Sequence, residues 1–379
     1  MPEKILAINP GSTSTKIALF DGDEILYKVT VPHDAQELSK FPTTASQLPY
    51  RRETILSALH EAGVDLSGCV AFSGRGGGLQ SCEGGTYEVN AAMLQHAKSG
   101  KYGGDHPAAL GCQLAHEFAE QYGARAFVVN PPDTDELCQE ARITGLAGVY
   151  RTASTHALNQ KETAIRVCRQ DGRDYHSSNL IVVHLGGGVS ITAHQNGRMI
   201  DSNGIVNGEG PMAPTRIGTI PVKTVLSLLC SGQKTTEDFL SLLTKTGGFV
   251  DHLGTSDMLE VKRRIDEGDE YARIVYHAFV YQIAKEIGAM AAVLCGKVDA
   301  LIFTGGIAHD ETLVALLKER VGFIAPIKVC AGEFEMEALA AGALRVLRGE
   351  ETAKVYTGIP PFTGLLPIRR GDPQDRERT

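Results

Sequence analysis

Two stretches, roughly half a chain apart, share one layout and restrict the fold more than anything else in the 379 residues. Ile181-Val182-Val183-His184-Leu185 reads as a buried strand that enters three consecutive glycines, Gly186, Gly187 and Gly188, before alternation resumes as far as Ala193. Near the start, Ile5-Leu6-Ala7-Ile8 enters Asn9-Pro10-Gly11-Ser12-Thr13-Ser14-Thr15, and Lys16 to Phe20 forms the return strand. Each copy turns again, at Asp21-Gly22 and at Asn196-Gly197, into a third short strand. A turn stripped of Cβ atoms lets backbone N–H groups approach an anion closely. The repeat predicts a duplicated α/β fold in two domains, with phosphate held between the halves.

The remaining pattern follows that division. A helix is expected over 50–62, then a strand from Cys69 to Ser73 that feeds Gly74-Arg75-Gly76-Gly77-Gly78. Pro107 suits a first helical turn and opens a predicted helix over 107–122. A strand over 126–130 leads into Pro131-Pro132-Asp133-Thr134-Asp135, while 32–49 shows no regular pattern. Helical periodicity covers 155–170, with Ser154 or Thr155 as N-cap. In the second half, helices are expected over 221–231, 235–245, 256–267 and 270–295. Asp299 to Thr304 is a strand ending at Gly305-Gly306, Ile327 to Cys330 a last strand, and Glu335 to Leu347 a last helix. The expected division is a domain over 1–153, a second over 154–334, a C-terminal helical segment over 335–357 that completes the first, and a flexible tail over 358–379.

Charge and cysteine usage narrow the partners. A net charge of −8 argues against a nucleic-acid binder, which needs a concentrated basic surface. Eight cysteines without a Cys-x-x-Cys pair read as reduced thiols, not as a disulfide framework or zinc site. No uncharged apolar run reaches the ~18 residues of a membrane span, so no membrane partner is expected. The chain enters a strand with no signal-peptide core, and a cytoplasmic location is expected.

Candidate residues stand where glycine loops or irregular turns follow strands. No Gly-x-x-x-x-Gly-Lys-Ser/Thr occurs, and no Gly-x-Gly-x-x-Gly opens a helix after the first strand, which disfavours P-loop and dinucleotide folds. Arg75, on nearly bare backbone, is either a surface loop residue or a bidentate holder of carboxylate or phosphate. Arg216, after the irregular Gly208–Thr215 stretch, serves structure or chemistry. Asp133 either caps its turn or acts in a site. His184 ends a buried strand where a phosphate would sit. His106 and His156, taken alone, read as structural. Asn9, Ser12 and Thr13 suit Mg²⁺ or its waters, although such residues are frequent in turns anyway.

Asn9 to Lys16 resembles the first signature of the acetokinase family, His184-Leu185-Gly186-Gly187-Gly188 its second, and Thr304-Gly305-Gly306-Ile307 its adenosine-side loop. The likeness runs over nearly the whole chain to about residue 357. Gly74-Arg75-Gly76-Gly77, Gly84 to Asn90, and His156 to Lys161 are similar to the butyrate kinase branch in particular. The resemblance implies the duplicated ribonuclease-H-like fold of acetate kinases, sugar kinases, actin and the heat-shock ATPases, and a homodimer or larger homo-oligomer. It implies direct in-line transfer from MgATP to butyrate or another short-chain carboxylate, giving ADP and an acyl phosphate.

By the same resemblance, Arg75 and Arg216 flank the transferred phosphoryl group, Asp133 is the acidic residue of the site, and His184 is the histidine of the phosphate loop. The nucleotide side comprises Asn9, Gly11, Ser12, Thr13, Gly186, Gly187, Gly188, Gly305, Gly306 and Ile307. Asn9 and either Glu333 or Glu335 match the magnesium side, and His106 and His156 the substrate side. Two positions depart from the acetate branch: Thr152 replaces a histidine, and His309-Asp310 replaces Glu-Asn. A branched-chain carboxylate kinase, and a non-enzymatic nucleotide-gated binding module, are the competing readings.

Overall fold

The computed structural model describes residues 3–102 and 106–365. Its first sheet contains β1 (Lys4–Pro10), β2 (Ser14–Asp21), β3 (Glu24–Pro32), β4 (Cys69–Gly74), β5 (Thr86–Glu88) and β6 (Arg125–Val129), in the order β3-β2-β1-β4-β6-β5. The second contains β7 (Asn179–Leu185), β8 (Val189–Gln195), β9 (Arg198–Ser202), β10 (Ala300–Gly305) and β11 (Ile327–Ala331), in the order β11-β10-β7-β8-β9. Strands β3-β2-β1-β4-β6 and β9-β8-β7-β10-β11 run in the same sense: an antiparallel meander, then two parallel neighbours. The duplication inferred from the hairpins is therefore a duplication of whole sheets, and β5 is an added antiparallel edge strand.

Each central strand is apolar on both faces because helices cover both faces. In the first half Leu6, Ile8 and Phe72 face α1 (Leu48–Glu61) and α2 (Leu110–Tyr122), while Ile5, Ala7 and Phe127 face α6 (Glu335–Leu347). In the second half Ile181, Val183 and Phe303 face α4 (Glu270–Val293), while Leu180, Val182 and Ile302 face α3 (Ala157–Gln170). Helices α3 and α6 also pack on each other, so they form the seam between the two sheets. Helix α5 (Glu311–Val321) packs against α4.

Several elements depart from the sequence expectation. The segment 32–49 holds a short helix, Ala35–Leu38, capped by Asp34, and a 3₁₀ turn, Thr44–Gln47. Strand β5, the helix Ala91–Ser99 and α5 are not among the expected elements; the first two are short, whereas α5 does carry an apolar face at Leu313, Val314, Leu317 and Val321. The helix expected over 235–245 closes at Ser241 and widens into a π-helical turn over Leu242–Thr246. Helix α3 starts at Ala157 with His156 at the N-cap position, and neither Ser154 nor Thr155 caps it. The reason is local: His156 is committed to Ser190, and the Thr155 hydroxyl is buried without a partner. Of the expected tail, Phe362 packs on Tyr150 and Arg142, while 366–379 lie outside the described residues. Among the described residues no helix is long and apolar enough to cross a membrane.

Gly111 shows how tightly the first sheet is closed. Its backbone lies on the Gly74–Arg75 backbone, and a Cβ on either Gly74 or Gly111 would overlap main-chain atoms of the other segment. Sequence reading passed over Gly111 because a glycine inside a helix looks like a mere weakness. Gly111→Ala is expected to cost about 3 kcal/mol or more in urea unfolding, since main chain has little room to yield. A loss below about 1 kcal/mol would show that α2 and β4 have slack.

Candidate functional site

On the first sheet, β1 delivers Asn9 to the cleft and the chain turns at once. Gly11 N–H donates to the Ser14 carbonyl at 2.7 Å, and Ser12 and Thr13 stay exposed. The turn is held from behind by Arg51 of α1, a fully buried guanidinium. Its Nη1 donates to the Gly11 carbonyl at 2.8 Å and to Thr15 Oγ1 at 3.2 Å. Sequence reading missed Arg51, since an arginine on a polar helical stretch normally lies in solvent.

Arg75 follows β4, and its amide extends the β1–β4 pairing by donating to the Ile8 carbonyl at 2.8 Å. Its Nη1 donates to Glu335 Oε1 at 2.5 Å, and Asn9 Nδ2 donates to Glu335 Oε2 at 2.8 Å. Glu335 opens α6, so a residue of the C-terminal segment joins the two N-terminal loops. Burial alone would raise its pKa, but Arg75, Asn9 and Lys16 together hold it below the ordinary value. Glu333 behaves oppositely: burial and then the neighbouring Glu335 push it up.

The second glycine loop is stapled to the segment carrying Arg216. Thr215 donates from both N–H and Oγ1 to the Gly187 carbonyl, at 3.2 and 2.9 Å, and a tight Ala213–Arg216 turn follows. The Arg216 guanidinium then lies where a Cβ on Gly188 would be. Its Nε and Nη1 are buried without any partner, and burial lowers its pKa. A half-buried guanidinium with two sealed, unpartnered nitrogens beside a loop of glycines has the chemistry to receive an anion.

Electrostatics bring both arginines to one place. His184 is buried, and its pKa falls to about 4, chiefly from burial; Glu335 opposes this, while Arg216 and Arg75 add to it. His156 is depressed well below the ordinary histidine value by burial, then by His184, Arg216 and Arg75. The two rings stack with centroids 3.8 Å apart, and His184 Nε2 lies 3.7 Å from Glu333 Oε1. Both histidines are neutral at pH 7, so they donate hydrogen bonds without adding charge.

The other expected residues fall around this centre. Asp133 is pushed up to about 6 by burial, against hydrogen bonds from backbone amides and the pull of Arg75, and its Oδ2 is buried without a partner. His106 uses Nδ1 to accept from the Ala108 amide, and burial, Arg75 and then Arg51 depress its pKa. Gly305 ends β10 and exchanges backbone bonds with Gly332 at 2.9 and 3.0 Å, which sets Glu333 and Glu335 beside the Gly305–Ile307 loop. Gly306 has open space at its Cβ position, and Ile307 lies in the following 3₁₀ turn. Asp310 caps α5 and binds Lys262 and Tyr276, so it is already engaged. Among the described residues no group of three or more His, Cys, Asp or Glu side chains is arranged to hold a metal by itself.

The raised carboxyl makes a stability prediction with a definite sign. Between about pH 4 and pH 6 the folded protein keeps an Asp133 proton that the unfolded chain has released. Stability from this group therefore falls as pH rises through that window, by on the order of 2 kcal/mol in all. Asp133→Asn is expected to raise the calorimetric midpoint of the ligand-free protein at pH 7.5 and to leave it unchanged near pH 4. An equal gain at both pH values would show that the carboxylate bears no buried penalty.

Comparison with known proteins agrees with this geometry. Residues 148–325 match the family model of the acetokinase family. The fold is similar to the crystal structure of Porphyromonas gingivalis acetate kinase, with a TM-score of 0.75 and 22% identity over 91% of this chain and 100% of that one. A propionate kinase from Francisella tularensis subsp. tularensis SCHU S4 gives 0.71 and 19% over 89% and 98%. Acetate kinase from Entamoeba histolytica gives 0.70 and 18% over 90% and 98%. The chain has the duplicated, two-domain ribonuclease-H-like fold of these kinases, and the half that carries His184 and Arg216 matches the acetokinase family.

Proposed function

We propose that the chain is an acetokinase-family carboxylate kinase, transferring the terminal phosphoryl group of ATP to a short-chain fatty acid, with butyrate as the favoured substrate. The observation that carries this reading is the Arg216 guanidinium, buried without a counter-ion beside Gly188, with Arg75 acting on the same two neutral histidines. A carboxylate acceptor is already ionised at pH 7 and needs no general base. The barrier lies in bringing one anion against another while charge spreads over the phosphoryl oxygens, and paired guanidinium groups oppose that repulsion. His184 and His156 add neutral donors, which favour developing negative charge without trapping the product.

The glycine loops offer backbone N–H groups to the nucleotide phosphates from both halves, through Ser12 and Thr13 and through Gly187 and Gly188, while the Gly11 and Gly186 amides close their own turns. Gly305, Gly306 and Ile307 face the adenosine side in this reading. Mg²⁺ fits the oxygen-only donors here: Glu335 and Asn9 would hold it, with the orphaned Asp133 Oδ2 receiving one of its waters. One or two carboxylates suffice because Mg²⁺ usually keeps waters and takes phosphate oxygens. Bound there, it would neutralise charge on the nucleotide phosphates. Asp133 then orients a metal-bound water or Arg75 and need not act as a base.

A preference for butyrate in this reading requires an apolar pocket for the acyl chain at the cleft floor. Butyrate exceeds acetate by two methylenes at ~0.8 kcal/mol each, which gives roughly a ten-fold preference.

Two measurements test the reading. Hydroxylamine trapping across a panel of carboxylates and sugars is expected to detect acyl phosphate, with kcat/KM for butyrate roughly ten-fold above acetate. ATP binding with no acyl phosphate from any acid would favour a nucleotide-gated binding module, and turnover on a sugar would favour a hydroxyl acceptor. Arg216→Met is expected to lower kcat by about 10³ or more while the ligand-free protein melts higher, because a stranded charge has been removed. Near-normal turnover would remove Arg216 from the mechanism.

A further inference from the structure

Helix α3 opens with five consecutive polar residues, Asn159 to Thr163, and every one of them is buried. An amphipathic helix would expose part of such a run. Strand β8 repeats the anomaly: Ser190, Thr192 and His194 share one face, and that face is buried too. Buried polar groups persist where they satisfy one another, and here the bonds form a directed chain.

We infer that Asn159 and Gln160 are positioning residues that fix the tautomers of the stacked His184–His156 pair, so that both rings leave Nε2–H free for the cleft. Backbone groups settle the orientation of the Asn159 and Gln160 amides. Asn159 Oδ1 accepts from the Phe334 amide at 2.9 Å, so its Nδ2 is the atom that meets His184 Nδ1, also at 2.9 Å. His184 Nδ1 must then accept, and its ring proton resides on Nε2. A Cβ on Gly186 would lie 3.1 Å from that same Nε2, which places it against the phosphate-type loop.

Gln160 is anchored in the same way. Its Nε2 donates to the Ser190 carbonyl at 3.2 Å and to Ser190 Oγ at 2.6 Å. The Ser190 proton is thereby turned toward His156 Nδ1, 2.8 Å away, and His156 carries its proton on Nε2. Gln160 Oε1 faces His194 Nε2 at 3.1 Å, and Tyr175 OH supplies the proton to His194 Nδ1 at 2.9 Å. Asn159 and Gln160 thus fix His184 and His194, and the Ser190 hydroxyl, already accepting from Gln160 and with His156 Nδ1 as the acceptor for its proton, gives His156 the same tautomer. Ser190 stands opposite His184 in the β7–β8 register, which is why one turn of α3 reaches both rings.

The effect on turnover rests on the phosphoryl-transfer reading; the tautomer assignment does not. Long-range ¹H–¹⁵N spectra of the whole protein at pH 7, assigned by single histidine replacements, are expected to show protonated Nε2 and bare Nδ1 at His156, His184 and His194. A proton on Nδ1 of His184 or His156 would overturn the inference without any variant being made. In Gln160→Glu the new carboxylate accepts the Ser190 hydroxyl proton, so His156 should shift its proton to Nδ1 while His184 keeps Nε2–H. With that donor lost, kcat should fall roughly a hundred-fold, with KM for ATP unchanged. A variant whose His156 keeps Nε2–H, or one that shifts tautomer at unchanged kcat, would end the positioning role. Expected tautomers in a protein that forms no acyl phosphate would instead count against the proposed function and leave the tautomer assignment standing.

Discussion

A guanidinium with no carboxylate to meet it, that of Arg216, is the condition on which this cleft depends. Arg216 reaches one glycine loop with Nε and Nη1 sealed and unpartnered, and Arg51 is fully buried behind the other, bonded to carbonyl and hydroxyl oxygens. Stranding a buried charge costs several kcal/mol, so the ligand-free protein is not electrostatically at rest. At an effective dielectric of about 20, a unit negative charge 4 Å from such a cation recovers about 4 kcal/mol. The Gly186–Gly188 loop thus carries an unmet charge at Arg216, whereas the Gly11–Thr13 loop is braced by the satisfied Arg51. Keeping His184 and His156 neutral fits the same scheme, since protonated rings would add two further charges to a wall already in excess.

The duplicated sheets explain how those charges come to face each other. Each meander ends its first strand at a turn, and each turn opens on the side to which the shared helices α3 and α6 bring Asn159 and Glu335. The halves are also tied by Glu136, whose carboxylate accepts from the Gly84 amide, the Lys161 ammonium and the Met199 amide at 2.8–3.0 Å. A buried pair of this kind contributes more to register than to net stability. It gives a physical role to two stretches, Gly84–Asn90 and His156–Lys161, that sequence reading had marked only as branch resemblances.

Most strands and long helices were legible because their signals are local: apolar runs of five or six residues ending in glycine, and helical periodicity in 50–62 and 335–347. Strand β5 and the helix Ala91–Ser99 were not, because short segments owe their form to tertiary contacts; α5 was passed over although Leu313, Val314, Leu317 and Val321 mark an apolar face. Within the site, Arg75 was legible from its setting of glycines, and His184 from its place at a strand end. Which of Glu333 and Glu335 bonds Arg75 and Asn9 directly needed coordinates, and it is Glu335. Arg51, Gly111 and Gln160 were invisible for a common reason. Each is a residue type whose usual place is the surface, or a helix defect, and each was moved inside by a contact distant in sequence.

That last group indicates a division of labour between backbone and side chain. Glycines at 11, 186–188 and 305 make room for close backbone approach, which any strand-to-glycine junction can do and which sequence therefore advertises. Orientation is a different task, because a neutral imidazole has two possible tautomers and its choice depends on neighbours one and two bonds away. The residues that choose, Asn159, Gln160 and Ser190, cannot touch the reacting atoms and gain nothing from exposure. They become interpretable only once α3 is laid against β7 and β8, when five polar residues in a row stop being a breach of amphipathicity and become a set of satisfied bonds. A helix turn that breaks the hydrophobic pattern without leaving polar groups unpaired is accordingly a better pointer to site geometry than another glycine loop would be.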